Sequence, residues 1–169
     1  MGSILIVDGH ESQASTLFES EIRPGLPKKT RVDVVQGAAA AKERLIKIDY
    51  EVVLVEHMVV EPVSLELPPV DPIEVQKRLD RGEKVRFSLA GLTAANIDNV
   101  IRPASTLLPE FIALRPKAGY VIVSHGKGVG MGKQLPKYKA FPEVLGVFGW
   151  ISSKGTPERI LELIKSRLR

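Results

Sequence analysis

The chain has no cysteine, little aromatic character and only three histidines among 169 residues. The lack of cysteine excludes a disulfide scaffold, thiolate zinc sites and a cysteine nucleophile, and fits a reducing, cytoplasmic interior. Three histidines argue against a multi-histidine metal centre. Aromatics at 5% leave little material for stacking on single-stranded nucleic acid. No apolar run approaches the ~20 residues that span a bilayer, so no membrane association is expected. The opening MGSILIVDGH lacks the basic and long apolar regions of a secretory signal. No G-x-S-x-G elbow is present, and no catalytic constellation assembles elsewhere, which argues against an enzyme.

What is present has the rhythm of an α/β domain. Ser3–Val7 is apolar at nearly every position, as a strand buried on both faces requires. Glu11–Ile22 carries Ala14, Leu17, Phe18 and Ile22 at helical spacing and stops at Arg23-Pro24-Gly25. Arg31–Gln36 alternates, which suits a strand near a sheet edge. Ala38–Ile48 is a strong helix former, and Val52–Val55 is a third buried strand. This β-α-β-α-β order with short links predicts a doubly wound parallel sheet between two helical layers.

The rhythm breaks in the middle. Val59–Pro72 holds four prolines and is read as an extended loop. Helices are expected at Pro72–Arg81, Thr93–Ile101 and Ala104–Leu114, with a strand at Val85–Leu89. Leu65, Leu67, Val70, Leu107, Leu108 and Phe111 must pack either on the domain's own sheet or on a partner. Regularity returns with strands at Tyr120–Val123 and Val144–Ile151. The last helix starts at Thr156-Pro157-Glu158, with Thr156 as cap and proline in the first turn. One domain, 1–169, with an insertion at about 59–118, accommodates all of this.

In an open parallel sheet, ligands bind beyond the carboxyl ends of the strands. The residues there are Asp8, Gly9 and His10; Glu56 and His57; Ser124 and His125; and Ser152, Ser153 and Lys154. Two carboxylates, hydroxyls and a lysine thus converge on one edge.

The segments ILIVDGHE, YEVVLVEHM and GWISSKGTPERILELIKSRL, in this order, resemble the receiver domain of two-component response regulators. The resemblance covers roughly 1–58 and 119–169. It implies a flavodoxin-like, three-layer α/β/α sandwich with an enlarged middle. In that family an acidic pair after the first strand binds Mg²⁺. An aspartate after the third strand accepts phosphate, a hydroxyl after the fourth contacts it, and a lysine after the fifth pairs with it. The corresponding pocket here is Asp8, Glu56, Ser124, Ser153 and Lys154.

The departures from that pattern govern the functional expectation. Asp8 matches the first acid, but Gly9 stands at the second. Glu56 replaces the phosphoacceptor, and its extra methylene displaces the carboxylate by ~1 Å or more, where in-line transfer tolerates little misplacement. Lys154 is one residue out of register, with Ser153 in the lysine slot. Asp8 and Glu56 alone would hold Mg²⁺ weakly, so no metal site and no cofactor are expected. The reading is a degenerate receiver-like regulatory module. It acts through protein contacts, a homodimer included, without a phosphorylation cycle.

An alternative lies between Lys117 and Pro142, a stretch with five lysines and no acid. It contains HGKGVGMGK, read as a loop over Gly126–Gly132. Gly126, Lys127, Gly128, Gly130, Gly132 and Lys133 would form an anion-binding nest for a phosphate, a nucleotide or nucleic acid. The spacing is neither a Walker loop nor a dinucleotide fingerprint. A pI near 9.4 permits nucleic-acid affinity without specifying it.

Overall fold

A computed structural model describes residues 2–8, 16, 18–61, 76–77, 80–81, 101–124, 131–148 and 154–168; for 101 and 131–134 it describes the backbone only. Five parallel strands form the central sheet: β1 (Ser3–Asp8), β2 (Arg31–Gln36), β3 (Val52–Glu56), β6 (Gly119–Val123) and β7 (Val144–Phe148). Their spatial order is β2-β1-β3-β6-β7, so the winding reverses between β1 and β3. The runs that are apolar at every position explain this order. β1, β3 and β6 are wholly buried in the middle, and alternating β2 lies at an edge.

Four α-helices are described: α1 (Ala38–Lys47), α2 (Ala104–Leu114), α3 (Met131–Tyr138) and α4 (Thr156–Arg167). The sheet separates two cores. Leu5, Val7, Val53, Val55, Tyr120 and Ile122 face α1, α2 and Tyr138 of α3. Ile4, Ile6, Leu54, Val121 and Val123 face Ile160 and Ile164 of α4, with Phe18 and Ile22. This is the α/β/α sandwich expected of a flavodoxin-like chain. The alternation of strand side chains supplies both cores from one set of strands.

Leu107, Leu108 and Phe111 are fully buried in the first core, so α2 packs on its own sheet as the crossover between β3 and β6. It forms despite Pro109, which is inside the helix. Tyr120 donates its hydroxyl to the carbonyls of Phe111 (2.8 Å) and Arg115 (3.1 Å), closing the C-terminal end of α2.

Several local expectations need correction. Val59 and Val60 do not open a loop. They lie in β4 (Met58–Val60), which pairs antiparallel with β5 (Ile101–Pro103), Val59 opposite Arg102. Val59 is drawn into the first core, and that burial outweighs the proline content downstream. Phe18–Ile22 is a π-helical turn followed by a 3-10 turn at Arg23–Gly25, with Phe18 and Ile22 buried. Met131 and Gly132 belong to α3, so the glycine loop is shorter than read. The last helix is capped one residue early, by Gly155 in the left-handed region (φ 80°) rather than by Thr156. The helix and strand expected at Pro72–Arg81 and Val85–Leu89 lie wholly or largely outside the described residues. So do the helix expected at Thr93–Ile101 and the start of the helix expected at Glu11–Ile22.

Candidate functional site

The carboxyl edge at the β1/β3 reversal is built by chain register. Val7 lies opposite Val55, and Glu56 opposite Val123. One step further, Asp8 and Glu56 end adjacent strands, whose backbones run ~4.8 Å apart. Side-chain alternation puts both on the α4 face of the sheet, and His57 and Ser124 on the other. Asp8 and Glu56 are 3% and 6% exposed, so this carboxylate pair is sequestered rather than displayed. Ser124 is half-buried, and its amide donates to the Phe148 carbonyl (3.0 Å).

The remaining pocket candidates are less coherent. Lys154 is exposed, in the turn before α4, and has no ion pair with another described residue. Ser153 lies outside the described residues. Of the basic loop, Gly126, Lys127, Gly128 and Gly130 also lie outside, while Gly132 and Lys133 occupy the first turn of α3. Tyr138, an aromatic within the basic stretch, is fully buried and has no face to offer a base.

Among the described residues, no three His, Cys, Asp or Glu side chains group to hold a metal ion. Two carboxylates are a thin donor set for magnesium, whose octahedron takes about six oxygens. Gly9, at the place of the second acid, contributes no carboxylate.

The structure adds a residue pair that sequence reading did not single out. His57 Nδ1 lies 2.7 Å from Tyr138 Oη, both residues buried, with the rings edge-on. The Ser105 amide at the start of α2 also donates to that hydroxyl. The Tyr138 hydroxyl thus joins the imidazole of His57 to the first turn of α2. Burial lowers the His57 pKa below its ordinary 6.5 and pushes the Tyr138 phenol up to about 12, so both stay neutral near pH 7. The backbone closes the same junction. The Ala104 amide donates to the His57 carbonyl (2.8 Å), and the His57 amide to the Val123 carbonyl (2.7 Å). Thus α2, whose cap position is Pro103 with no side-chain cap, takes its first two amide acceptors from His57 and Tyr138. No signal along the chain could have paired residues 81 positions apart.

A parallel arrangement starts α1. Gly37, at φ 84°, provides no side-chain cap, and Glu61 fills that role from beyond β4. Its Oε1 accepts from the amides of Ala38 (2.5 Å) and Ala39 (3.2 Å). A carboxylate at this helix end also complements the positive pole of the dipole.

No family model matches the sequence, and no curated protein matches it. Solved structures do match in shape. A redox sensor of the streptococci that evolved from two-component response regulators superposes with a TM-score of 0.57 at 13% identity, over 99% of this chain and 52% of that one. The chain therefore spans about half the length of that protein. The signal receiver domain of an HD domain-containing protein from Pseudomonas fluorescens Pf-5 gives 0.57 at 13% identity, covering 98% and 93%. A CheY-like receiver domain from Methanospirillum hungatei JF-1 gives 0.52 at 13% identity, covering 98% and 92%. The fold is that of response-regulator receiver domains, the α/β architecture expected from the strand-end pattern.

Proposed function

We propose that this chain is a degenerate receiver-like regulatory module that works through protein contacts and runs no phosphorylation cycle. One observation carries the reading. A receiver topology presents Glu56 where a phosphoacceptor aspartate belongs, beside Asp8 but with Gly9 in place of the second acid. The burial of both carboxylates supports it, because a buried acceptor is poorly placed to meet a phosphodonor. The exposure of Lys154 supports it too. The partner is a protein, with a second copy of the chain as one form of assembly. The setting is cytoplasmic, in keeping with the absence of cysteine. Among the described residues no helix is long and apolar enough to cross a membrane.

The test is incubation with acetyl phosphate and Mg²⁺, read by intact-protein mass spectrometry. The expected result is no phosphoryl adduct. A stable adduct mapping to Glu56 or Asp8 overturns the proposal.

A second reading has one observation in its favour. The glycine–lysine stretch runs into the N-terminus of α3, with Gly132 and Lys133 in the first turn, and helix starts favour anions. It predicts salt-dependent binding of phosphate-bearing ligands through Gly126, Lys127, Gly128, Gly130, Gly132 and Lys133. Heparin retention unchanged in a Lys127→Ala/Lys133→Ala variant removes it.

A further inference from the structure

The antiparallel pair β4 and β5, continued by Glu61, forms a neck through which the chain leaves and re-enters the domain. It begins two residues beyond Glu56, where the carboxylate edge ends. Val59 anchors it in the first core beside Val7, Val55 and Ala38. Two polar ties run from the neck to the first half of α1.

The first tie is Glu61, whose Oε1 accepts from the amides of Ala38 and Ala39. The second runs through Glu110 of α2. Lys42 Nζ donates to Glu110 Oε2 (2.6 Å), and Arg102 Nη2 of β5 donates to Oε1 (2.7 Å). Ala38 and Lys42 are four residues apart, so both ties meet one face of α1. The start of α1 in turn reaches the carboxylate edge, because the Gly37 amide donates to the Asp8 carbonyl (3.3 Å).

These anchors differ in strength. Val59 is 1% exposed, whereas the side chains of Lys42, Arg102 and Glu110 are 36%, 31% and 39% exposed. Ion pairs this open to water are weak, so they part without disturbing the core. Withdrawing Glu61 leaves the first amides of α1 without a side-chain acceptor, since Gly37 supplies none.

We infer that the neck is the input of this module: displacing it withdraws Glu61 from α1, loosens the α1 start and, through Gly37, resets the edge at Asp8. A receiver-like sheet that takes no phosphoryl group needs another route to its carboxylate pair. The neck meets that pair twice, along the chain at Glu56-His57-Met58 and through α1 at Asp8. Tied to α1 and released from it are the two arrangements that such coupling requires. This inference rests on the reading of the chain as a regulatory module without a phosphorylation cycle, and it names how that module is regulated.

The test is amide-resolved hydrogen exchange, followed by NMR on the full chain. The perturbation is Arg102→Gln, which frees the neck from Glu110 and leaves Lys42 paired. The amides of Ala38, Ala39 and Gly37 are expected to exchange about threefold faster or more, although none bonds to Arg102. Arg159 and Leu168, whose amides bond to Gly155 and Ile164 across the sheet, are expected to keep their rates. In a Glu61→Ala background the same substitution is expected to add nothing at the three α1 amides. The native chain in about 0.5 M NaCl gives the same pattern without a substitution, because salt screens exposed pairs. Unchanged rates at Ala38, Ala39 and Gly37 overturn the inference. So does equal acceleration at Arg159 and Leu168, or acceleration that persists undiminished without Glu61. Phosphoryl labelling tests the parent reading separately, so an α1 start that does not respond removes the neck as input and nothing else.

Discussion

At the scale of single residues, His57 is the most informative. Its neutral form is held by burial, so the folded state resists its protonation. The folded pKa lies below the unfolded 6.5. Its contribution to stability is therefore complete above pH ~6.5 and is lost as pH falls through the depressed folded value. Urea midpoints measured from pH 7.5 down to 5 are expected to fall in the native chain and to fall less in His57→Gln. His10 and His125 are retained in that variant and control for their own titration. Tyr138→Phe strips the partner from the Ser105 amide and from His57 Nδ1 at once. The expected loss is about 1–3 kcal/mol in denaturant unfolding, with the fold kept. Legibility at this scale was uneven. Asp8, Glu56 and Ser124 could be found because each terminates an apolar run. Tyr138 reads as one more aromatic in a basic stretch, and only the packing of α3 against α2 makes it a partner of His57.

At the scale of elements, helix starts are completed from a distance. The α1 amides depend on Glu61, which is contributed from the far side of β3 and β4. Glu61→Ala is expected to cost about 0.5–2 kcal/mol, the usual range for losing a helix cap, and hydrogen exchange should locate the loss in the first turn of α1. β4 and β5 form a second such device. Val60 and Ile101 lie directly opposite, so the chain between them departs and returns at one point. Deleting 62–100 and joining Glu61 to Ile101 through Asn-Gly gives a three-residue turn that the antiparallel pair accepts. The shortened protein is expected to fold, with the helical circular dichroism of α1–α4 intact; loss of cooperative unfolding would refute this. These strands were illegible because three residues show no period, and Pro103 argues against any strand. α3 was hidden by Gly132 and Pro136, two helix breakers in eight residues that α3 tolerates. α1 and α4 were legible because their apolar stripes and strong helix formers agree.

At the scale of the whole molecule, the sheet is shared. Each central strand feeds the α1–α2–α3 core with one set of side chains and the α4 core with the other, so neither layer stands without the sheet. A single cooperative transition is expected, with near-UV and far-UV signals coinciding in urea. Separate transitions would mean that the layers melt independently. The topology was readable from the order and burial pattern of the strands, even though sequence identity to proteins of the same shape is 13%. Buried runs of Val, Ile and Leu dictate strand position without dictating identity, so the architecture survives almost complete replacement of its residues.

The paired exit and entry at Val60 and Ile101 also bear on how such a chain changes over generations. Lengthening a segment whose ends already meet adds only ~0.6 kcal/mol of closure entropy per doubling. In-frame duplications or losses of DNA coding for this stretch keep the closing pair of Val60 and Ile101 in place. Descendants of one ancestor can therefore differ widely in size here while sharing the same sheet.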